Sequence, residues 1–94
     1  MADIRDMRET ALQLLHAVNA NQAKRRTDVT VMPHVEARKM GLETAPYYEA
    51  LLNYLLDEGA LVEEPAPPRI ASNVPGAFRL TTHGLWVLRE AGYL

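Results

Sequence analysis

A chain of 94 residues with three histidines, one serine and no cysteine offers few starting points for catalysis. His16, His34 and His83 stand far apart, and none has a second ligand-type side chain at the spacing a metal requires. His34 and Glu36, two apart on a helix, point in different directions. Without cysteine there are no disulfides, no thiolate nucleophile and no thiolate metal site, a composition that suits a reducing compartment. The lone hydroxyl of its type, Ser72, sits in a proline-rich stretch with neither a Gly-x-Ser-x-Gly turn nor a phosphate-cradling glycine run around it. These residues imply no catalytic constellation, no metal and no cofactor, and so a binding protein rather than an enzyme.

The side chains that remain are suited to recognising charge. Between residues 21 and 40, Lys24, Arg25, Arg26, Arg38 and Lys39 outweigh Asp28 and Glu36 for a local balance of +3. Between residues 41 and 64, Glu43, Glu49, Asp57, Glu58, Glu63 and Glu64 meet no Lys or Arg, a balance of −6. The formal net charge of −2 therefore hides a two-sided molecule,.

Positioning these groups requires ordered elements. With 48% hydrophobic and 23% charged residues, the composition is that of one globular domain, residues 1–94, small enough for self-association to add stability. Charges of both signs near the N-terminus exclude a signal peptide or a membrane span there, and no later apolar run is long enough to cross a bilayer. A soluble, cytoplasmic protein is expected.

Ile4, Met7, Ala11, Leu14, Leu15 and Val18 recur at helical spacing and predict a first helix over residues 3–20, ended where Asn19, Asn21 and the KRRTD run dilute the pattern. Residues 28–31 read as a short strand. Pro33 and Gly41 punctuate a second helix over 32–40. Thr44 is expected to cap a third helix that Gly59 ends. Residues 60–64 and 77–80 read as strands flanking PAPPRIASNVPG, and Thr81 or Thr82 caps a last helix through Ala91. The expected fold is mainly α with a small β-hairpin: a winged helix-turn-helix with a three-helix core, a two- to three-stranded wing and a C-terminal helix.

The segment RKMGLETAPYYEALLNYLLDEGALVEE, followed by FRLTTHGLWVL, resembles the winged helix-turn-helix regulators of the MarR and PadR types. Ala37, Gly41, Leu42, Leu55, Gly59, Leu80, Thr81 and Gly84 stand at the matching positions, over roughly residues 28–90. That resemblance implies operator binding as a dimer and, in many members, a response to a small ligand. Two departures stand out. Glu36 occupies a position where an apolar residue is usual, so Val35 is expected to turn inward instead. The long terminal helices through which these families commonly dimerise are missing, which leaves helix one or the last helix to pair two copies.

On this reading the third helix enters the major groove of double-stranded DNA, with Tyr48, Leu52 and Leu55 toward the core. Ala45, Pro46, Tyr47, Glu49, Ala50 and Asn53 then face the groove, where Asn53 can bond an adenine edge in a paired fashion. The expected DNA contacts are Lys24, Arg25, Arg26, Arg38, Lys39, Thr44, Tyr47, Asn53 and, in the wing, Arg69. Leu56, Leu85, Trp86, Tyr93 and Leu94 are the expected interface with a second copy or a protein partner, with Leu51 and Tyr54 also lacking an evident core role. The competing reading keeps the same frame as a protein-interaction module, with an acidic third helix and no DNA binding.

Overall fold

The computed structural model describes residues 4–42, 44, 46–64 and 77–94. Helix α1 (Ile4–Val18) buries Ala11, Leu14, Leu15 and Val18 completely, the stripe its spacing predicts,. Its α-helical part ends at Val18, two residues before the expected end at residue 20, but the coil does not stop there. A π-turn, Asn19–Ala23, carries the coil onward, because Asn19 is itself buried and supplies the polar partners the chain needs to leave. Its carbonyl accepts the amide of Lys24, and its Oδ1 accepts the amide of Arg25 at 2.8 Å. Those bonds hold Lys24 and Arg25 at φ of 50° and 66°, a left-handed conformation that costs a residue with a side chain about 1–2 kcal/mol.

Strand β1 (Thr30–Val31) leads into α2 (Pro33–Lys39), with Pro33 in the first turn where its missing amide hydrogen costs nothing,. Helix α3 (Tyr47–Asp57) follows, then β2 (Leu61–Glu63), β3 (Phe78–Leu80) and α4 (Thr82–Glu90). The protein is mainly helical with a small three-stranded antiparallel sheet of order β1-β3-β2. Register places Val31 and Glu63 on either side of Phe78, and Thr30 and Val62 on either side of Arg79. Alternation along β3 buries Phe78 and Leu80 and exposes Arg79,. The stretch expected to be the wing tip, residues 65–76, lies outside the described residues.

Helices α2, α3 and α4 end in the same way. After α2 the Leu42 amide reaches back to the Ala37 carbonyl and the Gly41 amide to Arg38. After α3, Ala60 reaches Leu55 and Gly59 reaches Leu56; after α4, Tyr93 reaches Leu88 and Gly92 reaches Arg89. This paired closure needs a left-handed residue, and Gly41 and Gly59 supply it at φ of 73° and 80°,. Thr44, expected to cap α3, does not. Pro46 is the cap residue, no side chain bonds the helix start, and Thr44 contributes its carbonyl to the Tyr48 amide. Thr81 does cap α4: its hydroxyl accepts the Gly84 amide at 2.9 Å and donates to the Gly59 carbonyl. Gly84 then lies so close to β2 that a Cβ there would stand 2.5 Å from the Ala60 carbonyl oxygen.

One apolar cluster joins α1, α3, α4 and the sheet through Leu14, Leu15, Leu51, Leu55, Leu61, Leu80 and Leu88, each at most 1% exposed. Burying such a side chain stabilises by roughly 1.5–3 kcal/mol. Leu51 is thus a centre of the core rather than a spare apolar residue, and Tyr54, Leu56 and Leu85 pack against its edge.

The inward residue of α2 is Glu36, 2% exposed, while Val35 is 39% exposed, the reverse of the expected orientation. Val35 stays out because the space inside is polar. Asn21 Nδ2 donates to Glu36 Oε1 at 2.8 Å, Gln22 Nε2 donates to Oε2 at 2.7 Å, and Lys39 Nζ stands 3.6 Å from Oε1. Gln22 also pairs with both backbone groups of Met32, accepting its amide and donating to its carbonyl. Burial pushes the Glu36 carboxyl up, but the Asn21 and Gln22 amides and the Lys39 charge outweigh it and hold the group below the usual carboxylate range,.

Replacing Glu36 by alanine leaves both amides without their acceptor, so Glu36→Ala is expected to cost about 3 kcal/mol. In a chain of this size that is a fall of about 15 °C in the calorimetric midpoint. Because the folded carboxyl titrates below its unfolded value of about 4.3, its stabilisation is present above that pH and is lost as pH falls through the folded value. The stability gap between wild type and Glu36→Gln should therefore close in acid; a gap that stays constant from about pH 6 to pH 3 would assign the acid sensitivity elsewhere.

Candidate nucleic-acid interface

Helix α3 presents a long outward row. Glu49, Asn53 and Asp57 follow one another at intervals of four and are all exposed, with Pro46 before them and Glu58 beyond,. At 1.5 Å per residue, Asp57 lies about 12 Å along the axis from Glu49. The N-terminal half of the row therefore carries a single carboxylate, Glu49, together with Asn53 and, in the preceding turn, Thr44, which is exposed. Tyr47 contributes less than expected, since its ring is half-buried against the core, and Ala50 is half-buried too. Tyr48 turns inward as expected; its buried hydroxyl has no partner among the described residues, and burial raises its pKa.

The basic residues do not gather around α3. Arg38 and Lys39 lie exposed in the last turn of α2, just before the bend into α3. Arg26 forms a two-pronged pair with Asp28, Nε to Oδ1 at 3.0 Å and Nη2 to Oδ2 at 2.9 Å, and this guanidinium holds the Asp28 carboxyl below its ordinary value,. Arg79 pairs with Glu64, which also accepts the Thr30 hydroxyl, so all three strands are tied on their outer face. Hydrogen bonds first from Thr30 and then from Arg79 lower the Glu64 pKa. Arg69 lies outside the described residues.

Lys24 and Arg25 stand elsewhere. Arg25 lines an open hollow of about 550 Å³ with Thr82, Leu85, Trp86, Arg89 and Leu94. Lys24 and Arg25 also line an adjoining hollow of about 340 Å³ with His16, Asn19, Ala20, Tyr93 and Leu94. The two share Arg25 and Leu94, and no α3 residue lines either one. The left-handed pair at the end of the π-turn thus faces α4 and the C-terminal residues. The C-terminal apolar set divides as well. Trp86 is 55% exposed and Leu94 40%, whereas Leu56, Leu85 and Tyr93 are half-buried. Tyr93 lies over His16 with ring centroids 5.0 Å apart, and His83 stacks on Trp86 at 5.6 Å and 21°.

The polar group around Glu36 and the pair of hollows were not foreseen from the sequence. A signal for the first was available: a glutamate at an otherwise apolar helix position, downstream of the amide-bearing Asn19, Asn21 and Gln22. For the second there was none, because the left-handed backbone at Lys24 and Arg25 depends on Asn19 being buried at the end of the helix, and what the two side chains then face is set by the packing of α4 and the C-terminal residues. Among the described residues no group of three or more His, Asp or Glu could hold a metal ion, and no helix is long and apolar enough to cross a membrane.

Trp86 reports on its surroundings without holding the fold together. Trp86→Ala is expected to lower unfolding stability by less than about 1 kcal/mol in urea titration, because the ring is mostly in water and loses one stacking neighbour. A loss above about 3 kcal/mol would make the indole a core residue. No protein-family model matches the chain, and neither a curated protein nor a solved structure does.

Proposed function

We propose that the chain is a winged helix-turn-helix domain that reads duplex DNA as a transcriptional regulator in the cytoplasm, with α3 as the helix that enters the major groove. One observation carries this reading: α2 and α3 both pack on α1, a glycine-closed bend joins them, and an antiparallel sheet of order β1-β3-β2 stands beside them. In such a frame the N-terminal half of the second helix meets base edges. Here that half exposes Glu49, with Thr44 exposed in the turn before it and Asn53 just past the midpoint, and Arg38 and Lys39 flank the bend for phosphate contact. Asp57 and Glu58 sit at the far end, away from the groove.

The expected homodimer fits this surface poorly. The outward side of α1 exposes Arg8, Glu9 and Gln13, all polar, and a two-fold contact across the larger hollow would gather the Arg25 and Arg89 guanidiniums of both copies, four positive charges, into one interface,. We therefore assign DNA reading to a single copy. A second reading, in which the same frame binds a protein through α3, is favoured by the three carboxylates α3 and its cap residue expose, Glu49, Asp57 and Glu58, with no Lys or Arg in the helix.

Binding to duplex DNA from upstream of the chain's own coding sequence, followed by fluorescence anisotropy across a salt series, separates the two. With Arg38, Lys39 and Arg69 as the phosphate contacts, log K should fall against log salt with a slope of about −2 to −3, and Lys39→Ala should reduce that slope by about 1. Asn53→Ala should relax discrimination at one base pair by about 1–3 kcal/mol. Absent or salt-insensitive binding would remove the DNA reading and leave the protein-binding one.

A further inference from the structure

The two hollows share Arg25 and Leu94 and are taken together as one groove, the larger lined by α4 and the smaller by the end of α1, the π-turn and the C-terminal residues. Its floor is apolar, from Leu85, Trp86, Leu94 and Tyr93, and its rim carries Lys24, Arg25 and Arg89. Among the described residues no aspartate or glutamate side chain lines either part. On a chain of net charge −2, a surface that shows three cationic side chains and, among the described residues, no carboxylate side chain is a local reversal of sign. Two further observations mark the place. Lys24 and Arg25 are held at positive φ, a strained arrangement for residues with side chains, by bonds to the buried Asn19,. At the base of the smaller hollow, the buried Nδ1 of His16 has no hydrogen-bond partner among the described residues.

We propose that this groove docks an acidic segment of a partner protein, anchored by one large apolar side chain. The anchor seats on Leu85, Trp86 and Leu94 in the larger hollow, whose volume of about 550 Å³ accommodates such a side chain with room for the flanking backbone,. Carboxylates on either side of the anchor meet Arg25 and Arg89, where a guanidinium takes a carboxylate in two parallel hydrogen bonds. A carboxylate further along reaches Lys24 on the smaller hollow,. Charge decides among occupants. A second copy paired two-fold brings like charges together, and a nucleic acid would find one exposed aromatic ring and a concave aliphatic floor in place of a row of stacking platforms. The assignment does not rest on the DNA reading, since none of the groove residues belongs to α3.

The test is selection of a random dodecamer peptide library displayed on phage against the full chain, with affinities of the selected peptides read from the emission of Trp86, the chain's single tryptophan. Selected sequences should combine at least two Asp or Glu with one Phe, Trp, Leu or Ile, and should shift the Trp86 emission on binding. The Arg25→Glu/Arg89→Glu chain should bind them at least tenfold more weakly, and Arg89→Glu alone, at an exposed helix position, should keep the fold and give a smaller loss. The Asn53→Ala chain, altered on α3 and outside the groove, should bind the selected peptides within twofold of wild type, which keeps this test distinct from the DNA one. Failure to enrich a sequence, enrichment without acidic bias, or equal binding to the charge-reversed chain would each overturn the assignment. So would sedimentation showing a dimer of the wild type that the double variant abolishes, since the groove would then belong to a second copy.

Discussion

The carboxylate of Glu36 is the group around which the first half of the chain is organised. An ionised carboxyl taken out of water costs several kcal/mol unless hydrogen bonds and charge replace its hydration. Here the replacements come from Asn21 and Gln22 on the π-turn and from Lys39 one turn away on α2. Gln22 meanwhile holds both backbone groups of Met32, the residue that opens α2. The prolongation of α1 past Val18, the start of α2 and the inward facing of residue 36 are therefore one arrangement. A straight α-helical end at residue 20, as the polar dilution suggested, would have left Glu36 buried without donors.

The parts of the fold that were legible are those governed by local chemistry. Gly41 and Gly59 end their helices through backbone geometry that few other residues adopt, Thr81 bonds an amide three residues on, and Phe78 and Leu80 alternate with Arg79. Features that depend on distant partners were read less well. Asn19 looked like a helix breaker because asparagine is usually solvated; buried, it serves as the hinge of the turn. Leu51 looked like surplus on a helix with too many apolar residues, and it became core because it lies between Tyr48 and Leu55 on the same inward face, with Leu52 at the edge. Thr44 met the statistical profile of a cap, yet the helix began three residues later.

Charge is arranged by tertiary structure in the same way. In the sequence Lys24, Arg25, Arg26, Arg38 and Lys39 make a single basic block, whereas in the fold they have three different settings. Arg26 is neutralised by Asp28, Arg38 and Lys39 flank the bend into α3, and Lys24 and Arg25 turn toward the C-terminal residues, Arg25 reaching α4 as well. The acidic block is likewise divided, with Glu64 bound into the sheet and Glu49, Asp57 and Glu58 on the outside of α3 and its end. Blocks of charge read along the chain thus overstate the field that any one face presents, because neighbours in sequence leave a turn in different directions.

Strand β3 lies between β1 and β2 in the sheet although it follows both in the chain. During synthesis, β1 and β2 emerge from the ribosome with no edge to pair on, and the sheet cannot close until the stretch around Phe78 has appeared. The α1 and α2 helices, with the amide contacts that join them, can assemble well before that. The pairing of both outer strands thus waits on a segment far along the chain, a sequence-distant closure whose loop entropy the helical contacts do not carry,.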